Sequence, residues 1–204
     1  MPSTHRFKPL VAVEFTQPYL YVRISAPKTG HGVGDHLKGG RVARIALLVN
    51  PGVQTIVEEE VQEAARVLGL QIFVFRARSS AEIDTAFAAL ARERAEALFV
   101  AGDVFFNSRR VQFVTLAARD RLPASYASRE YVEAGGLMNY GTNLLDVFRQ
   151  VGIYTGSILK GAKPADLPVM QASKFEFLIN LQTAKALGIE VPPSLLARAD
   201  EVIE

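Results

Sequence analysis

Residues 96–106 read EALFVAGDVFF, and this stretch decides the fold. Five uninterrupted apolar positions, 97–101, run straight into Gly102-Asp103. An apolar run of that length, too short for a helix and lacking polar alternation, suits a parallel strand covered on both faces. Open α/β sheets place ligands at the carboxyl ends of such strands. Asp103 sits at that end, Phe105 and Phe106 follow it, and Asn107 and Ser108 offer N-caps for the next helix.

The same unit repeats on either side. A strand over 43–49 ends at Asn50-Pro51-Gly52 and leads into a helix with Val57, Val61, Ala64, Ala65 and Leu68 in one stripe, closed by Gly69. A strand over 71–75 precedes Ser79 and Glu82, spaced as a capping box, and a helix burying Ile83, Phe87 and Leu90. After the strand at 97–101 comes a helix over 108–119, expected to bury Val111, Val114 and Ala118. A strand at 124–127 and a short helix capped by Ser128 complete the series. Four strand–helix units in succession predict an α/β fold built on a doubly wound parallel sheet, with all four strand ends on one edge.

The last third departs from this pattern. A short strand at 137–141 leads to a strong helix over 143–160, with Leu144, Phe148, Val151, Thr155, Ile158 and Leu159 on one side and Gly161 at its end. Residues 164–168 connect it to 174–180, KFEFLIN, whose alternation suits an edge or half-covered strand. Asn180 caps a short helix closed by Gly188, and a final helix is expected over 194–203. At the other end, 10–15 and 19–24 read as short strands, followed by a glycine-rich linker. The boundaries expected are therefore 1–40 for an atypical N-terminal segment, 41–136 for an α/β lobe, 137–163 for a strand–helix segment and 164–204 for a C-terminal return.

Composition narrows the function. With 204 residues, 49% apolar and 22% charged, the chain can build a packed core. A net charge of +2 gives no clustered basic face, so no nucleic-acid partner is expected. The absence of cysteine removes disulfides, thiolate ligands and a cysteine nucleophile. The first residues, MPSTHRFKPLVAVEF, lack the layout of a secretory signal, which would leave the chain in the cytoplasm if translated as given. Gly30-His31-Gly32-Val33-Gly34 has neither a strand leading in nor a helix leading out, so it does not read as a dinucleotide loop. His31, Asp35 and His36 read as a solvated loop rather than a metal site; no metal and no cofactor is expected.

The ligand-binding candidates follow from the strand ends. Asp103 can accept hydrogen bonds from a ligand ammonium, with Phe105 as an aromatic wall. Tyr126 and Ser128 end the next strand, Asn50 ends the first, and Tyr140 closes LMNYG. Arg109, Arg110, Arg129 and Glu130 read as exposed helix charge. No catalytic residue is assigned: there is no nucleophile elbow, no P-loop and no HExxH.

Four stretches taken together, RVARIALLVNP from residue 41, ALFVAGDVFFNSRR from 97, AGGLMNYGTNLLDVFRQVGIYTGSILKGAKPADLPV from 134 and KFEFLINLQTAKALGIEVPPSLLARADEVIE from 174, resemble one family. It is that of the substrate-binding proteins of ABC transporters, in the tryptophan/aromatic-type branch of the type I periplasmic binding proteins. The resemblance covers 41–204. It implies a two-lobed clamp around a small solute such as an amino acid or an aromatic or carboxylic compound, a periplasmic location, a transporter permease as partner and no enzymatic activity. It further implies that 41–136 form most of the second lobe, that the first lobe is missing, and that 137–160 cross toward it. The unpartnered helix face at 143–160 then predicts a homodimer. The alternatives are a ligand-sensing regulatory domain of the same fold, disfavoured because 1–40 carry no helix-turn-helix stripe, and a Rossmann-like enzyme.

Overall fold

A computed structural model describes residues 10–16, 19–25, 44–52, 55–68, 70–168 and 174–204. The glycine-rich loop at 30–34 with His31, Asp35 and His36, and the helix-closing Gly69, lie outside the described residues. Near the N-terminus β1 (Leu10–Thr16) and β2 (Tyr19–Ser25) pair antiparallel in a sheet of their own.

The main body alternates as expected: β3 (Arg44–Val49), α1 (Thr55–Leu68), β4 (Gln71–Arg76), α2 (Ser80–Arg92), β5 (Ala97–Val100), α3 (Val104–Ser108), α4 (Arg110–Arg119), β6 (Ala124–Tyr126), α5 (Arg129–Glu133) and β7 (Met138–Thr142). Then come α6 (Leu144–Leu159), a 3-10 turn (Pro164–Asp166), β8 (Phe175–Asn180), α7 (Leu181–Leu187), α8 (Pro193–Leu196) and β9 (Glu201–Ile203). The main sheet has seven strands in the order β4-β3-β5-β6-β7-β8-β9. All its neighbours run parallel except β7 and β8, which are antiparallel. The chain turns to β4 on one side of β3 and to β5 on the other, so a topological switch point falls beside the end of β5.

Local chemistry sets the element ends. Ser79 Oγ accepts the N–H of Glu82 at 3.2 Å and Glu82 Oε2 accepts that of Arg78 at 2.7 Å, a near-complete capping box. Asn143 and Asn180 cap α6 and α7 through the N–H groups of Asp146 and Thr183. Gly188 ends α7 at φ 73°, a left-handed position that glycine adopts without strain.

Four expectations fail for identifiable reasons. The helix expected over 108–119 is α4, but neither Asn107 nor Ser108 caps it, because an unexpected short helix, α3, precedes it: Asp103 caps α3, and the Ser108 hydroxyl donates to the Phe105 carbonyl at 2.6 Å as α3 ends. The buried face of α4 is formed by Phe113, Val114, Leu116 and Ala117, so Val114 is buried as expected while Val111 is 63% exposed and Ala118 lies outside, because the larger Phe113 and Leu116 turn toward the core. β8 is an interior strand, not an edge, because β9 pairs along its far side. That strand takes the last three residues of the helix expected over 194–203: α8 stops at Leu196, and the Asp200 carboxylate accepts the Phe177 N–H at 2.8 Å, turning the chain back onto the sheet.

The two sheet faces are covered differently. On one, Ala46, Leu48, Leu98, Val100, Ala124 and Tyr126 pack under α2, α3, α4 and α5. On the other, α1 covers Leu47 and Val49 at one end, and α7 and α8 cover Phe177 and Ile179 at the other. Between those ends a groove of about 570 Å³ runs over the sheet.

Candidate functional site

The groove takes its floor from strand alternation. Register sets Phe99 beside Ser125 and Ser125 beside Met138, so these three share a face, and all line the groove with Ala97 and Tyr140. Val57, Val61 and Ala64 of α1 form one wall; Leu144 and Phe175 form the other. The Tyr140 and Phe175 rings stack nearly parallel, 5.7 Å apart and inclined by 5°, giving that wall a flat aromatic surface. At the carboxyl edge the lining becomes polar, with Asp103, Asn107, Ser128 and Thr142.

Each polar group has a local reason for its place. Asp103 ends the β5 segment on the groove side, and its Oδ1 accepts the Phe106 N–H at 3.0 Å, which leaves the carboxylate with further acceptor capacity. Ser128 precedes α5 without capping it; its hydroxyl instead donates to Asn107 Oδ1 at 3.2 Å. That bond ties the ends of β5 and β6 together across the rim. Gly141 is where β7 meets the β6 end: a Cβ built there would stand 1.8 Å from the Ala127 carbonyl oxygen, so only glycine permits this approach.

Three of the six expected binding residues, Asp103, Ser128 and Tyr140, come together on this groove. The other three do not line it. Tyr126 points the other way, since its register partners are Val100 and Asn139. It is 1% exposed and stacks on Tyr131 at 4.5 Å, and burial pushes its hydroxyl pKa well above the ordinary phenol value. Phe105 packs against the same core, with the Arg109 guanidinium 5.8 Å from its ring centroid. Asn50 stands at the end of β3, away from the lining.

Sequence reading passed over Asn107, Thr142 and Ser125. The first was read as a cap, and the second falls just beyond the expected strand end. Ser125 was legible in principle, because a hydroxyl one residue from Tyr126 must face the opposite side. Its Oγ is buried without a hydrogen-bond partner among the described residues.

Behind the rim, Arg129 holds three acids. Its guanidinium donates to Glu133 at 2.8 Å, Glu201 at 2.9 Å and the buried Glu176 at 3.2 Å. The hydrogen bond to Glu133 leads in raising its pKa above the ordinary arginine value. Glu176 also accepts from Asn143 Nδ2 at 3.0 Å, so the residue that caps α6 is anchored to the sheet. The reading of Arg129 as simple exposed helix charge is thus corrected: it clamps β8, β9 and the start of α6.

Similarity to known proteins agrees with this architecture. Residues 39–203 match the model of the family described as ABC transporter substrate binding protein. Among solved structures, a conserved domain protein from Vibrio cholerae O1 biovar eltor is 28% identical, with a TM-score of 0.72 over 79% of this chain and 55% of that one. An ABC domain in complex with L-Trp from Streptococcus pneumonia is 29% identical, with a TM-score of 0.73 over 79% of this chain and 57% of that one. A ligand-free, open substrate binding protein with adhesive properties from Clostridium difficile, 23% identical over 80% of this chain and 55% of that one, shares the fold at a TM-score of 0.58. The chain thus spans a little over half the length of the structures it matches. Among curated proteins none matches significantly. With four-fifths of its length inside the family model and its sheet matching these neighbours, the chain belongs to the ABC transporter substrate-binding protein family.

Proposed function

We propose that the chain forms one lobe of a solute clamp and that its groove rim binds an amino acid or a small aromatic or carboxylic compound for delivery to an ABC transporter permease outside the cytoplasm. The observation that carries this reading is the meeting of Asp103, Ser128 and the Tyr140–Phe175 ring stack on one groove beside the switch point of the sheet. Asp103 receives the ligand ammonium as a charge-assisted hydrogen bond. Ser128 orients a second polar group, and the ring stack offers a flat face to an aromatic side chain. The L-Trp complex of the pneumococcal neighbour supports an aromatic amino acid as the first compound to test. A single lobe encloses a solute from one side only, so binding by this chain alone is weak. Among the described residues the groove lining sets no nucleophile beside a base, which supports a binding rather than a catalytic role.

The test is a thermal-shift screen of the amino acids and small aromatic carboxylates, followed by calorimetry on the hits, with L-tryptophan included. A hit whose affinity falls on Asp103→Asn, while the melting temperature without ligand stays unchanged, is the expected result. A hit indifferent to Asp103→Asn, or no hit at all, overturns the proposal.

A further inference from the structure

Helix α6 is joined to the sheet at its root. Among the described residues, the polar bonds that tie it to the sheet all fall on Asn143 and the first turn. Farther along, side-chain bonds stay inside the helix or reach its own connector, as when the Tyr154 hydroxyl donates to the Pro168 carbonyl at 2.5 Å. A helix held at one end is a lever. With 16 residues it is about 24 Å long, so a tilt of about 10° at the root carries its far end about 4 Å.

The root is built around one oxygen. Glu176 is 6% exposed, and its Oε2 accepts from Arg129 Nη1 at 3.2 Å and from Asn143 Nδ2 at 3.0 Å. A buried carboxylate needs a cation and filled acceptor sites, so it holds both donors. Each donor is fixed elsewhere as well. Arg129 begins α5 and reaches Glu201 on β9 at 2.9 Å. Asn143 donates its N–H to the Lys174 carbonyl at 3.0 Å, and Lys174 Nζ pairs with Asp146 at 3.1 Å. Thus α5, β8, β9 and the start of α6 meet at a single carboxylate. Apolar contact is non-directional, whereas hydrogen bonds have preferred angles, so these bonds are what can aim the helix.

We propose that Arg129 and Asn143 are positioning residues: by sharing Glu176 Oε2 they set the direction in which α6 leaves the sheet. That direction is fixed relative to the groove rim, because Ser128, just before Arg129, and Thr142, just before Asn143, both line the groove. The root bond is separable from the helix cap, since Asn143 uses Nδ2 for the first and Oδ1, which accepts the Asp146 N–H at 2.9 Å, for the second. Asn143→Asp keeps the capping acceptor and sets a carboxylate against Glu176.

The chain has no cysteine, so spin labels on Leu159→Cys, 83% exposed, and on Ala118→Cys, exposed on α4, report the far end of α6 against the closed face in the full chain. Double electron–electron resonance is expected to give one narrow distance distribution for this pair. Asn143→Asp is expected to shift or broaden it by about 4 Å or more, the displacement of a 10° tilt, with far-ultraviolet circular dichroism unchanged. Arg129→Gln is expected to act in the same way. The double variant N143D/E176Q exchanges donor and acceptor beside Arg129 and is expected to restore the narrow distribution. Glu133→Gln removes an acid that Arg129 holds within α5, away from β8 and α6, and is expected to leave the distances unchanged. Where Arg129→Gln loses its fold, the Asn143 variants decide. A distribution indifferent to Asn143→Asp overturns the proposal. So does a change that N143D/E176Q does not reverse, an equal change in Glu133→Gln, or a broad distribution before any of these substitutions.

Discussion

On one face of the sheet Phe87, Phe106, Phe113 and Tyr131 interlock, with ring centroids 5.1–6.2 Å apart and mostly edge-on. On the other, Phe99, Tyr140 and Phe175 stand along a groove. The residues are as apolar on the second face as on the first. What differs is cover: α2, α4 and α5 close one face, whereas on the other α1, α7 and α8 cover only the two ends. An apolar strand face therefore states that something covers it, without stating what. The closed face is fully packed, whereas the grooved face leaves apolar surface uncovered, and that is the surface we propose for recognition.

The largest expected effect tests that division. Phe113→Ala removes a fully buried ring from the closed face and should cost about 3–5 kcal/mol in chemical denaturation. It should leave ligand affinity unchanged in whatever fraction remains folded. Asp103 should behave in the opposite way. Asp103→Asn keeps an acceptor for the Phe106 N–H, so stability should hold, while affinity for an amine ligand should fall by about 1.5–3 kcal/mol in calorimetry. Asp103→Ala loses both functions and should add about 1 kcal/mol of instability. A stability loss equal in the two variants would mean that the carboxylate charge serves the fold.

A smaller effect concerns the Asp146 carboxyl at the start of α6. The hydrogen bond from Lys174, with Arg149 assisting, holds its pKa below the ordinary carboxylate value. A pKa depressed in the folded state contributes stability above the unfolded value, and this contribution is lost as pH falls through the folded one. Thermal unfolding of Asp146→Asn should therefore lie below wild type at neutral pH and converge with it in acid. Smallest of all, Ser125→Ala on the groove floor removes a hydroxyl without a partner among the described residues and should shift stability by less than about 0.5 kcal/mol, in either direction. A clear loss there would show that the hydroxyl is engaged.

The sequence showed the sheet more clearly than the site. Runs such as 97–101 and the stripe of Ile83, Phe87 and Leu90 carry their own period, so β3 through β7 and most of the helices between them were readable from local pattern, α3 being the exception. The C-terminal strand was not. Residues 201–203 become a strand because the sheet offers β8 as a partner and Asp200 turns the chain toward it, and neither cause is local. Among the candidates chosen for standing near strand ends, Asp103, Ser128 and Tyr140 lie on the groove. Tyr126 also stands at a strand end and faces the wrong side. Position along a strand gives the edge, whereas the side requires the register, and Tyr126 pairs with Val100, a closed-face residue. Phe105 failed for the related reason that a helix starting at Val104 carries it away from the groove and into the core.

The antiparallel pairing of β7 with β8 has a consequence for how this chain can be cut and joined. Thr142 and Phe175 are register partners, and the Asn143 N–H donates to the Lys174 carbonyl at 3.0 Å, so α6 and its connector leave and re-enter the sheet at one point. Topologically, residues 143–174 are the loop of a hairpin. They can be exchanged for a tight turn, or for a foreign module, without changing the order of a single strand.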